Sequence, residues 1–181
     1  MDNAAPLRPT LWRTCRVLAN RTRLEMFRLL LRQPGQTVTA VARQLHQPLS
    51  LTSEYLRALE ARGLLTVRRV GRRVAYRPNL TSRLAATLRA TLRQESQPLN
   101  TIFRLTTAFT HPRRVEIYQA LQREPRTAEH LRASIRISSW ALRRHLKKLE
   151  ARGFVTQRNG MFAVIQRQDG LGRALARLAT L

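Results

Sequence analysis

Two stretches of this chain gather hydroxyl and guanidinium groups at helical spacing. In the first, Ser50, Ser53, Glu54 and Arg57 fall on one side of a helical register, with Thr52, Leu56 and Leu59 on the other. In the second, Ser139, Trp140, Arg143, Arg144 and Lys147 share a side, opposite Leu142, Leu146 and Leu149. Serine hydroxyls exchange hydrogen bonds with phosphate oxygens and base edges, and a guanidinium presents two parallel N–H donors that match guanine O6 and N7. A third cluster, Arg68, Arg69, Arg72, Arg73 and Arg77, packs five arginines into ten residues with no acid among them. A solvated hairpin edge also tolerates charge, but this density favours phosphate or the negative potential of a narrow minor groove. Glu54 either accepts from cytosine N4 or pairs with Arg57 one turn on, the second being the commoner arrangement.

Catalytic chemistry has little to work with. Asp2 and Asp169 are the only aspartates, and Cys15 is the only cysteine. No intramolecular disulfide and no thiolate cluster for a metal is possible. His46, His111, His130 and His145 lie in different elements without metal-ligand spacing, so they are expected at the surface or satisfied in a core. Cys15, beside Trp12 on an apolar helix side, reads as core. Gly170-Leu171-Gly172 is too short for a phosphate loop. No catalytic residue, cofactor or metal is expected, and the chain reads as a non-enzyme.

The charge balance points the same way. The chain has 34 basic residues against 10 acidic ones, a formal net charge of +24 over 181 residues. Only two of the basic residues are lysine, which a genome-wide preference for arginine would explain; it would not explain the shortage of acids. Residues 1–94 hold 18 Arg against 4 acids, and residues 95–181 hold 16 basic residues against 6 acids. Both halves therefore call for a polyanionic partner, nucleic acid first and an anionic membrane surface second. Met1–Thr10 lacks the apolar core of a signal peptide, and no apolar run reaches membrane-spanning length. A soluble, cytoplasmic, nucleoid-associated protein is expected, with no membrane partner.

The elements that must position these groups are written twice. Leu-Glu-Ala-Arg-Gly occurs at Leu59–Gly63 and at Leu149–Gly153, ninety residues apart, and the match extends over 56–65 and 146–155. Arg21–Phe27 pairs with Pro112–Tyr118, one residue out of that register. A period of this length is a duplicated small domain rather than a solenoid unit. In copy one, the spacing predicts helices over 11–18 and 21–32 (N-cap Asn20), broken by Gln33-Pro34-Gly35, then a short helix at 39–46 and another at 49–62 stopped by Gly63. A β-hairpin follows with Gly71 at its tip, and Leu80, Leu84, Leu88 and Leu92 mark a fifth helix. After the polar connection Arg93–Pro98 the order repeats: a first helix through Leu99, Ile102, Phe103 and Phe109, helices from Pro112, at 127–133 and at 138–152, a hairpin turning at Asn159-Gly160, and a closing helix through Leu171, Leu175, Leu178 and Leu181.

A helix-turn-helix followed by a two-stranded wing docks its second helix in the DNA major groove. At Leu49–Leu65 and at Ser138–Val155 the sequence resembles the recognition helix and first wing strand of ArsR-type winged-helix repressors. Leu18–Phe27 resembles the family's entry to its second helix. The resemblance implies tandem winged helix-turn-helix domains, mainly α with small β-hairpin wings, over residues 8–94 and 99–181. It departs from the family in lacking metal-sensing Cys/His/Asp clusters and in being a covalent tandem. The family dimerises through its first and last helices, so helices 11–18, 80–93, 99–109 and 171–181 are expected to form an intramolecular pseudo-dimer or a homodimer seam.

The candidate contacts to double-stranded DNA are Ser50, Thr52, Ser53 and Arg57; Arg68, Arg69, Arg72 and Arg73; and Ser138, Ser139, Trp140, Arg143, Arg144, Lys147 and Arg158. Thr52 is included although it lies on the inward arc, and Trp140 although an aromatic opening a helix more often packs. The second wing, with only Arg158 near its tip, is expected to contribute less. The expected function is a DNA-binding transcriptional regulator that reads an asymmetric site, because the two reading helices differ. The alternatives are an architectural DNA binder with little sequence preference, and a tandem winged-helix adaptor for protein partners.

Overall fold

The structure, a computed structural model, describes residues 10–71, 73–81, 83–94 and 98–180. Arg72, residues 95–97 of the expected linker and Leu181 lie outside the described residues, as does the side chain of Leu84.

Copy one begins with α1 (Leu11–Leu18), which buries Leu11, Cys15 and Leu18 at helical spacing. The Cys15 thiol is fully enclosed and burial pushes its pKa up to about 12, as its place in a core requires. Asn20 caps α2 (Arg21–Arg32), its side-chain oxygen accepting from the Arg23 amide at 2.9 Å. A short strand β1 (Gln36–Thr37) leads into α3 (Val38–Gln44), capped by the Thr37 hydroxyl at 3.2 Å from the Ala40 amide. Then come α4 (Leu49–Ala61), the wing strands β2 (Leu65–Val70) and β3 (Arg73–Pro78), and α5 (Arg83–Gln94). Copy two repeats the order: α6 (Leu99–Thr106) with a 3₁₀ turn at Thr107–Phe109, α7 (Pro112–Arg123), β4 (Arg126–Thr127), α8 (Ala128–Ile135), α9 (Ser139–Ala151), β5 (Val155–Arg158), β6 (Met161–Val164) and α10 (Gly170–Ala179). Each copy has a three-stranded antiparallel sheet, ordered β1-β3-β2 and β4-β6-β5. The fold is mainly helical with small wings, two winged helix-turn-helix units in one chain.

The one-residue slip between the copies has a location. The caps Asn20 and His111 stand 91 residues apart, whereas β1 and β4 stand 90 apart. Copy one turns through Gln33, Pro34 and Gly35, and copy two through Glu124 and Pro125 only. The extra residue is accommodated by Gly35, whose positive φ of 85° suits glycine and whose amide donates to the Tyr76 carbonyl at 2.9 Å.

Two expectations need correcting, and two elements were not expected at all. The fifth helix begins at Arg83 rather than near residue 80, and Leu80 is 61% exposed in a turn, outside any seam. There the Asn79 side chain accepts from the Thr81 amide, a local bond that competes with helix. Phe109 sits in the 3₁₀ turn, buried, rather than in the first helix of copy two. Strands β1 and β4 went unforeseen because two residues carry no periodicity; their partner β3 or β6 makes them strands.

The two copies share one hydrophobic cluster. Helix α1 packs on α6 and the 3₁₀ turn, α2 packs on α6, and α10 packs on α5, α6 and α7. The first and last helices of each copy thus lie against those of the other. Arg21 reaches across this seam, its guanidinium 5.4 Å from the Phe103 ring.

Candidate nucleic-acid interface

Helix α4 starts after Pro48 and has no side-chain cap. At 100° per residue, Ser50, Ser53, Glu54 and Arg57 occupy about 100° of arc. Ser50, Glu54 and Arg57 are exposed and Ser53 is half-buried. Thr52 does not belong with them. It is fully buried and its hydroxyl donates to the Pro48 carbonyl at 2.9 Å, so it closes the first turn of the helix instead of facing outward. The expected Glu54–Arg57 pair is also not formed: Arg57 Nε donates to the Ser53 carbonyl at 3.3 Å, which leaves the Glu54 carboxylate pointing to solvent without an ion-pair partner among the described residues.

Helix α9 is built for donors. Ser138 caps it by accepting from the Ala141 amide at 3.3 Å, and its hydroxyl proton remains free to donate. Ser139, Trp140, Arg143, Arg144 and Lys147 are all exposed and span about 140° of arc. Trp140 is 69% exposed, so it does not act as a packing residue, and the Arg144 guanidinium lies 5.0 Å from its ring. An aromatic plane with a cation beside it presents donors and a stacking surface together. A groove of about 640 Å³ runs between α8, α9 and the wing, bounded in part by Ser139, Arg143 and Lys147.

On its inner side α9 is anchored by His145, which is buried against His111 with ring centroids 4.5 Å apart. His111 is itself the cap of α7, its Nδ1 accepting from the Arg113 amide at 3.2 Å. Burial, then His111, then Arg114 and other arginines hold the His145 pKa down at about 4, and burial lowers His111 as well. Both imidazoles are therefore neutral near pH 7, His145 buried and His111 half-buried as the cap of α7. Sequence spacing did not bring this pair together because α7 and α9 meet only in the fold. Among the described residues no group of three His, Cys, Asp or Glu side chains gathers.

The wings are unequal. In copy one, Thr66 faces Arg77, Arg68 faces Ala75 and Val70 faces Arg73 across the ladder, and directly opposed residues share a face. Arg68, Arg73 and Arg77 therefore share one face, while Arg69 lies on the other with Leu65 and Val67, beyond the end of the core. All four are exposed. These four arginines divide between the two faces of the hairpin. In copy two the hairpin is two residues shorter per strand and turns at Asn159-Gly160 with both φ values positive, 50° and 76°. Arg158 is its only wing arginine, paired with Met161.

Residues 24–69 match the family of the IclR helix-turn-helix domain, and residues 109–158 match a family described as a helix-turn-helix domain. No curated protein gives a significant match to the chain. The matched spans contain α4 and α9 with the helices before them. The chain therefore carries two helix-turn-helix domains of the DNA-binding kind found in transcription regulators, and the first is similar to the IclR type. Among the described residues no helix is long and apolar enough to cross a membrane.

Proposed function

We propose that the chain is a sequence-specific transcriptional regulator whose two winged-helix domains, residues 8–94 and 99–181, act as an intramolecular pseudo-dimer. The observation that carries this reading is the outer arc of α9, where Ser139, Trp140, Arg143, Arg144 and Lys147 stand exposed with no acid among them. Arg143 and Arg144 supply bidentate donors to guanine, and Lys147 supplies charge to the backbone. Helix α4 reads a different sequence, with Ser50, Ser53 and Glu54 beside a single guanidinium, that of Arg57. The copy-one wing (Arg68, Arg69, Arg72, Arg73) holds the backbone, and Arg158 does so more weakly in copy two.

ArsR-like organisation is supported by the motifs at 18–27, 49–65 and 138–155 and by the packing of α1 and α5 against α6 and α10. A dimer-like placement sets the two reading helices about one DNA turn apart, roughly 34 Å. The operator is asymmetric because the two reading faces differ, and the protein works in the cytoplasm on the nucleoid. The charge of +24 favours a second reading, an architectural binder indifferent to sequence.

Selection of bound sequences from a random DNA pool at physiological salt separates the two. A regulator enriches an asymmetric motif and binds it on the order of 10³-fold more tightly than random DNA. Binding of random DNA within about tenfold of the best site establishes the architectural reading.

A further inference from the structure

We infer that the cleft between α1, α2 and α4 binds a small organic anion, a carboxylate or phosphate ester with an apolar body. Arg13, Arg16, Arg23 and Arg62 line a cleft of about 350 Å³ that no Asp or Glu enters. Like charges converging on a concave, partly desolvated surface repel one another, and an anion seated there relieves the repulsion. Arg23 is held in place: its Nε donates to the Val17 carbonyl at 2.7 Å and its guanidinium lies 5.1 Å from the Tyr55 ring, which leaves its terminal nitrogens for a ligand. Trp12, with Arg13 5.2 Å from its ring, and the small residues Ala58 and Ala61 supply an apolar wall. The volume lies at the small end of ligand sites.

The duplication provides an internal comparison. In the register set by the caps, Arg16 corresponds to Thr107 and Arg23 to Arg114; past the one-residue slip, in the register of β1 and β4, Arg62 corresponds to Arg152. In copy two Arg152 Nε donates to the Thr107 hydroxyl at 3.1 Å, and Arg114 donates to the Thr107 carbonyl at 2.9 Å and to the Thr110 hydroxyl. That bond ties the end of α9 to the 3₁₀ turn at the seam. In copy one the acceptor is replaced by a cation: Arg16 cannot accept from Arg62, and among the described residues Arg62 makes no side-chain hydrogen bond. An anion bridging Arg16 and Arg62 restores between α1 and α4 the tie that copy two makes permanently. Occupancy would therefore fix a reading helix relative to the seam.

Binding is measured on the full chain by thermal unfolding with benzoate or phenyl phosphate, against benzyl alcohol and chloride at equal ionic strength. At a concentration about a hundredfold above Kd, an anion that binds raises Tm by roughly 5 °C or more. Arg16→Thr, which writes the copy-two residue into copy one, abolishes the response, Arg62→Gln does the same, and Arg68→Ala in the wing retains it. The inference is overturned if no anion shifts Tm beyond chloride, or if both cleft variants respond like the parent. It is also overturned if the cleft variants lower the salt slope of DNA affinity by about one unit with no organic anion present, because the arginines then contact DNA phosphate. The unfolding measurement needs no DNA and stands apart from the regulator reading.

Discussion

Arg143 and Arg68 are both exposed arginines, yet the proposed function gives them different work. Arg143 projects from the middle of a helix whose neighbours are Ser139 and Lys147, and in that reading its guanidinium meets base edges. Arg143→Ala is expected to cost about 1–3 kcal/mol on the best site and to relax the preference at one base pair, measured by titrating single-base variants of the selected site. Arg68 and Arg73 share one face of the copy-one wing. Their double replacement by Ala weakens all sequences alike and lowers the slope of log K against log salt by about two units; an unchanged slope removes them from the interface. Thr52 and Trp140 mark what residue type conveys and what it does not. The hydroxyl of Thr52 suited DNA by chemistry, but its register put it inside, where the Pro48 carbonyl took the proton. Trp140 suited a core by chemistry, but its register put it outside. In both cases helical phase decided the outcome.

The same rule governs the elements. Helices α2, α7 and α9 were legible because their apolar spacing and caps agree, α4 from its spacing and the Gly63 stop alone, and the hairpins because Gly71 and Asn159-Gly160 fix their turns. What periodicity could not supply were contacts between elements: β1 on β3, β4 on β6, and the packing of α9 on α7 through His145 and His111. That last contact has a pH signature. The folded-state pKa of His145 lies at about 4, below the ordinary 6.5, so between those values the unfolded chain holds a proton that the folded chain rejects. Stability is therefore level above about pH 6.5, falls as pH drops towards 4, and falls no further on this account below that. The loss from pH 7 to pH 4.5 is about 2 kcal/mol, and the lowered His111 pKa adds in the same direction. Urea unfolding at the two pH values measures it. His145→Gln should flatten the dependence, and a parent slope that survives the substitution would place its origin elsewhere.

At the scale of the whole molecule, the two copies pack against each other through a seam built from α1, α5, α6 and α10. The repeated sequence announced two domains, but that their first and last helices meet came from the family resemblance alone, because Leu88 and Leu175 are ordinary apolar residues until a partner surface meets them. Both are fully buried in the single shared cluster. A seam that is part of the core carries stability, and under the proposed function it also sets the spacing of the reading helices. Leu175→Ala opens a cavity and should cost about 2–5 kcal/mol of unfolding free energy. If the seam also sets the distance between α4 and α9, the same variant loses affinity for the selected operator beyond what its unfolded fraction explains, while its affinity for a half-site read by α9 alone is unchanged. Sedimentation of the parent with operator then gives one chain per site. Two chains per site, or equal losses on the full operator and the half-site, would mean that the copies read DNA independently and that the seam serves stability alone.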